Sequence, residues 1–183
     1  TYMRHLCIPG SSTGNKNISK VRPGEYVTFS ESGEIKTFKY WDPFSFQIDY
    51  EMTESEASSE LEKLLIESVE YRKVSDVEVG LFLSGGLDSS LIGKLMKSGS
   101  QSKLKGFNID YEEHFDGYEG ESSEAEYASS NIDIELIKEK IAYGDFKNLL
   151  SNYSNYQDDL NGDEVGIPLY FLGKSARSKG ITV

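Results

Sequence analysis

The chain has 183 residues, 37% of them hydrophobic and 27% charged, a composition ordinary for a folded globular domain of one core or slightly more. Its 31 acidic against 19 basic residues give a formal charge of -12, so the overall field repels nucleic acid and anionic membrane surfaces. No apolar run reaches transmembrane length, and the single cysteine, Cys7, excludes an intrachain disulfide.

Residues 1–42 are broken by turn signals at Pro9-Gly10, Thr13-Gly14-Asn15, Pro23-Gly24 and Ser32-Gly33. The runs Glu25 to Ser30 and Glu34 to Tyr40 between them predict antiparallel strands. Trp41-Asp42-Pro43 closes this region, and residues 43–52 have the texture of a linker. From Thr53 the texture changes. Thr53 and Glu56 have capping-box spacing, and Ala57, Leu61, Leu64, Leu65 and Val69 recur on one helical face. Val77 to Leu83 predicts a buried parallel strand, and Leu87, Leu91, Ile92, Leu95 and Met96 predict a helix after it. Leu104 to Ile109 predicts a second strand, Ser123 to Ser130 a helix and Ile132 to Ile137 a third strand. Tyr143 to Tyr156 predicts another helix. The last begins near Pro168, ends at Gly180, and leads into a fourth strand at Ile181 to Val183. Alternating strands and helices over residues 53–183 predict an α/β domain, a parallel sheet with helices on both faces, preceded by the antiparallel strands.

The segment with the clearest chemistry is Ser84-Gly85-Gly86-Leu87-Asp88-Ser89-Ser90, placed between a predicted buried strand and a predicted helix. A helix N-terminus offers unpaired N–H groups and partial positive charge, which suits phosphate. Two glycines let the backbone bend and approach an anion closely, and Ser84, Ser89 and Ser90 add hydroxyl donors. Asp88 would repel a bare phosphate, so its presence points to a magnesium ion between the carboxylate and the phosphate oxygens. The loop is not a Walker A motif, because no lysine follows the glycines; the nearest, Lys94, is further along the helix. The bland alternative is a glycine turn. Five specified residue types at ordinary usage coincide by chance in roughly one of several thousand chains this size, which favours the phosphate reading.

Other residues carry less. Cys7 fits a small core thiol better than a nucleophile. His5 and His114 are too few and too far apart for a zinc site. Asp110, Glu112, Glu113 and Asp116 lack the regular spacing of a calcium loop and fit a solvated acidic loop, and most of Glu112 to Glu126 has the texture of an exposed loop.

The S-G-G-x-D-S loop after an apolar strand resembles the pyrophosphate loop of the N-type ATP pyrophosphatases. Within that superfamily the chain is similar to glutamine-hydrolysing asparagine synthetases. Four stretches carry the resemblance: Val21 to Tyr26 with Tyr40-Trp41-Asp42; Val79 to Ile92; Leu104 to Glu112 with Glu124 to Ala128; and Asp158-Asp159 with Ile167 to Tyr170 and Ser175-Ala176-Arg177. The resemblance implies an adenine nucleotide alpha hydrolase-like fold. It implies that residues 1–42 form the C-terminal end of a glutamine amidotransferase domain, 43–52 a linker, and 53–183 the N-terminal part of a synthetase domain. It also implies that Ser84, Gly85, Gly86, Leu87, Asp88 and Ser89 hold the pyrophosphate of ATP, with Asp88 on Mg²⁺, that Phe82 and Ile109 contact the nucleotide, and that Asp158 is near the site.

The implied activity is an ATP-dependent, amide-forming ligase that activates a carboxylate as an acyl-adenylate. Its partners are small molecules: ATP, an amino acid or related carboxylate, and ammonia from glutamine. Nucleic acid and membrane are not among them, a homodimer stays open, and the location implied is cytoplasmic. The chain departs from the family in having Asp158-Asp159-Leu160 in place of D-E-P, and no histidine cluster at Ile132 to Ile137. Both departures leave the acid's identity open, so a related amidotransferase or β-lactam-type synthetase is the alternative. The absence of an N-terminal cysteine nucleophile and of a second S-G-[DE]-G segment predicts a fragment without turnover, which admits a non-catalytic nucleotide-binding or interaction role.

Overall fold

The computed structural model describes residues 2–98, 103–112 and 122–182. The chain divides into two compact units: residues up to Thr53 together with Ser154–Asp163, and Glu54–Tyr153 together with Glu164 onward.

The first unit contains a one-turn helix, α1 (Tyr2–His5), and a hairpin of β1 (Glu25–Phe29) and β2 (Ile35–Lys39). The strands pair antiparallel in the register Glu25↔Lys39 to Phe29↔Ile35. The directly opposed Tyr26 and Phe38 stack with centroids 5.1 Å apart, a cross-strand aromatic pair that fixes the register. The excursion Ser154–Asp163 joins this unit through Gly162 N–H to Leu6 O (2.7 Å) and a bridge between Cys7 and Asn161. Lys20 Nζ reaches both Ile8 O and Asp159 Oδ2 at 2.7 Å. None of the fully buried apolar residues belongs to this unit among the described residues, and Cys7, expected in a core, is exposed. Its segment is held by backbone pairing with an exposed excursion, so nothing covers the thiol.

The second unit opens with α2 (Glu54–Lys73), which starts directly after Thr53. It continues with β3 (Leu81–Phe82), α3 (Leu87–Lys97), β4 (Leu104–Tyr111), α4 (Ser122–Ile132), β5 (Ile134–Ile141), α5 (Tyr143–Leu150), a 3₁₀ turn at Tyr153–Tyr156 that straddles the two units, and α6 (Gly166–Ser178). The sheet is parallel throughout, in the order β3-β4-β5, with β4 central and paired to β5 over eight positions from Leu104↔Ile134 to Tyr111↔Ile141.

Alternation along the strands separates two cores. Leu83 and Ile134 pack with Ala128 of α4, joined by Leu81, Leu104, Ile132 and Leu136. Phe107 packs on the other face with Ala176 of α6 and Ile181, joined by Ile137 and Leu172. Two crossovers advancing in one direction put α3 and α4 on one face, so the opposite face is left for α6. The α/β architecture with helices on both faces is therefore the one the chain order predicts. Fully burying Leu83, Phe107 and Ile141 contributes about 1.5–3 kcal/mol for each side chain.

Several boundaries differ from expectation. The first strand of the sheet is Leu81–Phe82 plus one further rung, rather than Val77 to Leu83, because upstream the contact passes to side chains, with Lys105 Nζ on Glu78 at 3.0 Å. The third strand starts two residues late and runs to Ile141: α4 extends through Ile132, and Asp133 turns the chain at φ 62°. Its Lys138-Glu139-Lys140 stretch obscured the strand, yet charge is tolerated on an edge. The helix expected through Tyr156 stops at Leu150 and resumes as the 3₁₀ turn. The helix expected from Ser123 begins at Ser122, inside the stretch assigned to a loop. Ile181 is buried against Phe107 instead of starting a ladder, and Val183 is outside the described residues. The apolar stripe of α2 is mostly exposed, with Val69 alone fully buried.

The approach of α3 to the sheet rests on Gly93, where a Cβ would stand 2.8 Å from Leu81 Cδ2 and 3.0 Å from Ile134 Cδ1. A Gly93→Leu variant is expected to lose about 1–3 kcal/mol of stability through overpacking, measured by urea titration; a gain would contradict this packing. The Lys20 contacts lead to a second expectation. Lys20→Met should speed proteolytic cleavage within residues 154–163 and leave cleavage elsewhere unchanged. An unaltered cleavage pattern would mean the lysine does not hold the excursion.

Candidate functional site

The loop begins where β3 ends. Leu83 N–H closes a rung on Phe107 O at 2.8 Å, and the chain then leaves the sheet. Gly85 adopts φ 86°, and a Cβ there would fall 2.3 Å from Glu124 C and 2.4 Å from Ala125 N. Glycine is required twice over at this position: for its left-handed backbone and because the first turn of α4 passes against it. Gly86 caps α3 with extended backbone and no side-chain bond, and Ser90 N–H to Gly86 O (3.0 Å) is the first link of the helix. The N–H groups of Leu87, Asp88 and Ser89 therefore precede the helical ladder, the arrangement that favours an anion.

The serines brace the bend. Ser84 Oγ and Ser89 Oγ are 3.0 Å apart, Gly86 N–H points to Ser84 Oγ at 3.3 Å, and Ser89 Oγ donates to Gly86 O at 3.2 Å. Ser90 Oγ is buried without a hydrogen-bond partner among the described residues. Leu87 and Asp88 are exposed at the head of α3, so the carboxylate is free to meet solvent or a ligand.

A cleft of about 840 Å³ lies over the carboxyl ends of β3, β4 and β5, the place where open α/β sheets bind ligands. Of the residues implicated by sequence, Phe82, Ser84 and Ile109 line it. Gly85, Gly86, Leu87, Asp88 and Ser89 follow Ser84 directly as the bend and the first turn of α3. Asp158 belongs to the first compact unit, where it is exposed and its neighbour Asp159 is paired with Lys20. The Lys20 ammonium, followed by the Leu160 N–H, holds the Asp159 carboxyl below its ordinary value.

The cleft also takes in residues that sequence reasoning did not single out, among them Asn108, Tyr111, Tyr143, Phe146 and Glu164. Asn108 was the legible one, since a buried amide interrupts the apolar run of β4. Tyr111 ends β4, and the others come from the first turn of α5 and the lead into α6, segments that only the fold collects.

No group of three or more His, Cys, Asp or Glu that could hold a metal occurs among the described residues. Asp88 alone still suits magnesium, which keeps several waters and binds through one or two carboxylates plus phosphate oxygens. Glu113, His114 and Asp116 are outside the described residues.

The chain is similar to several known proteins. The chain is 34% identical over 182 residues to asparagine synthetase (glutamine-hydrolyzing) 1 of Bacillus subtilis (strain 168), covering 100% of this chain and 28% of that protein. It is 33% identical over 181 residues to putative asparagine synthetase (glutamine-hydrolyzing) 2 of Methanocaldococcus jannaschii, covering 96% of this chain and 33% of that protein. Amidase chyE of Penicillium rubens is 28% identical over 192 residues, 94% of this chain and 28% of its own length. The chain thus spans between 28% and 33% of the length of these relatives. The asparagine synthase family model matches residues 60–183, a stretch that holds the loop, the three-stranded sheet and the cleft, and the chain belongs to the asparagine synthase family.

Proposed function

We propose that this chain contributes the pyrophosphate-gripping part of the nucleotide site of an ATP-dependent, amide-forming ligase. The observation that carries the reading is the bend Ser84 to Ser89, which puts three unladdered N–H groups at the head of α3, beside a cleft that Ser84 also lines. Phe82 and Ile109 offer apolar surface for the base on the strand-end side of that cleft. Adenine and pyrophosphate would then sit on adjoining pieces of one strand-loop-helix unit.

The chemistry follows from what the loop can stabilise. A substrate carboxylate attacks the α-phosphorus of ATP, the bond to the β-phosphate oxygen breaks, and an acyl-adenylate and pyrophosphate result. Ammonia from glutamine then adds to the acyl carbon and displaces AMP, leaving the amide. Negative charge grows on the departing pyrophosphate, where the N–H groups of residues 87–89 can receive it while the Ser84 and Ser89 hydroxyls brace the bend. Magnesium at Asp88, when bound, supplies neutralising charge on the same oxygens.

In this reading residues 1–42 are the end of a glutaminase domain, 43–52 the linker and 53–183 the first part of the synthetase domain, and the protein works in the cytoplasm. The onset of α2 at Glu54, where the second compact unit also begins, supports that division. Asp158 stays a candidate site residue. No helix among the described residues is long and apolar enough to cross a membrane.

A second reading keeps the activation chemistry and changes the acid. It is favoured by the cleft wall formed by Ile141, Tyr143, Phe146, Val165 and Leu172, which is apolar and aromatic, and by similarity to an amidase as well as to asparagine synthetases. An amide-product assay with ATP, glutamine and a panel of amino and other carboxylic acids separates the two. Asparagine from aspartate supports the first, and turnover of another acid alone supports the second.

Asp88→Ala is expected to reduce magnesium-dependent ATP–pyrophosphate exchange by about a hundredfold or more without unfolding the protein. Normal exchange in that variant would refute the role given to Asp88. Gly85→Ala forces a Cβ into the backbone of α4 at a positive φ, so a loss of about 1–3 kcal/mol in stability together with weakened MgATP binding is expected from calorimetry. Unchanged binding and stability would mean the bend can relax, contrary to the geometry above.

A further inference from the structure

Leu83 is the last residue of the strand before the loop, and its carbonyl has an unusual partner. A parallel ladder that continued would give Leu83 O a backbone N–H from β4. Instead Asn108 Nδ2 donates to Leu83 O at 2.9 Å. Asn108 is buried to 4% exposure, and its Oδ1 has no hydrogen-bond partner among the described residues. An amide retained in a buried strand with half of its bonding unmet is a poor choice for stability alone. A leucine, branched at the same carbon, would remove the orphaned oxygen but leave Leu83 O without its donor. What the amide supplies is an end to the ladder: a side-chain rung that holds Leu83 while releasing the chain after it.

From this geometry we infer that Asn108 is a positioning residue for the pyrophosphate loop, setting the direction in which Ser84 leaves the sheet. The bonds run in sequence from β4 to the bend. Asn108 Nδ2 fixes the Leu83 carbonyl, and so the plane of the peptide that carries Ser84 N–H. Ser84 Oγ then meets Ser89 Oγ at 3.0 Å and receives Gly86 N–H at 3.3 Å. Gly85 cannot adjust to an error in this direction, because α4 backbone lies 2.3 Å from where its Cβ would be. Rotation of the Leu83–Ser84 peptide therefore moves the phosphate-facing amides rather than being absorbed by the bend. Asn108 also lines the cleft next to Ser84, Phe82 and Ile109, but its effect is exerted through the loop and not on the base.

This inference rests on the nucleotide reading of the loop, and one experiment separates the two. Affinities of the full-length protein for MgATP, inorganic pyrophosphate with magnesium, and adenosine are measured by calorimetry for the wild type and for Asn108→Leu. Thermal unfolding is recorded alongside. The wild type is expected to bind MgATP; failure to do so refutes the nucleotide reading itself. Asn108→Leu is expected to stay folded with a lowered melting temperature, because Leu83 O loses its donor, to weaken for MgATP and pyrophosphate by about tenfold to a hundredfold, and to bind adenosine as the wild type does. MgATP affinity within twofold of wild type overturns the inference while leaving the loop assignment standing. Equal weakening for adenosine and pyrophosphate also overturns it, because that is the mark of a general structural role. If Asn108→Leu fails to fold, Asn108→Asp is read by the same ratios, since it keeps the volume and replaces the donor with an acceptor.

Discussion

Both backbone polar groups of Leu83 are tied to β4: the N–H to Phe107 O at 2.8 Å and the carbonyl to Asn108 Nδ2 at 2.9 Å. Everything about the site depends on this anchorage. With a side chain buried to 1% exposure, Leu83 packs between the sheet and the helices on one face. It cannot shift without opening the core. The loop that follows therefore starts from a fixed point, and fixed donors are what an anion site needs, since donors that must reorganise give back much of what they contribute.

The second constraint comes from the other side of the bend. Gly85 lies against the first turn of α4, so the loop is pressed between the end of β3 and a helix that enters the sequence some forty residues later. The depth of that contact depends on α3 and α4 covering the same face of the sheet, which follows from two successive crossovers in one direction. Gly93 lets α3 come close to Leu81 and Ile134. Ala125 and Ala128, both buried, let α4 settle on the same core. Small residues at these contacts set how near the helices come and hence how tightly the bend is enclosed.

The two units are stabilised differently. The second has a core on each face of its sheet, whereas the first holds its shape with a hairpin, turn hydrogen bonds and the Lys20 contacts, leaving residues such as Phe29 and Phe44 largely exposed. Asp158, expected beside the nucleotide, is carried into the first unit by the excursion Ser154–Asp163. Nothing in the local sequence marks that excursion. The expected helix, Tyr143 to Tyr156, ran into its first residues, because Tyr153 and Tyr156 continue a plausible apolar spacing after Leu149 and Leu150.

The sequence alone determined the alternation of strand and helix, the position of the bend, and the residue types able to grip a phosphate. These are local properties: periodicity, glycine at a strand end, and hydroxyls at a helix start are all visible within a dozen residues. It also determined that Asp88 stands in the first turn of α3. Tertiary structure decided the rest. That Lys138-Glu139-Lys140 belongs to a strand depends on its being an edge, and that the stripe of α2 stays mostly exposed depends on what is not packed against it. The roles of Asn108, Gly85 and the aromatic cleft wall likewise arise from approaches between segments distant in the chain. Such contacts leave no periodic trace in sequence, because the free energy that fixes them belongs to pairs of elements and not to either one.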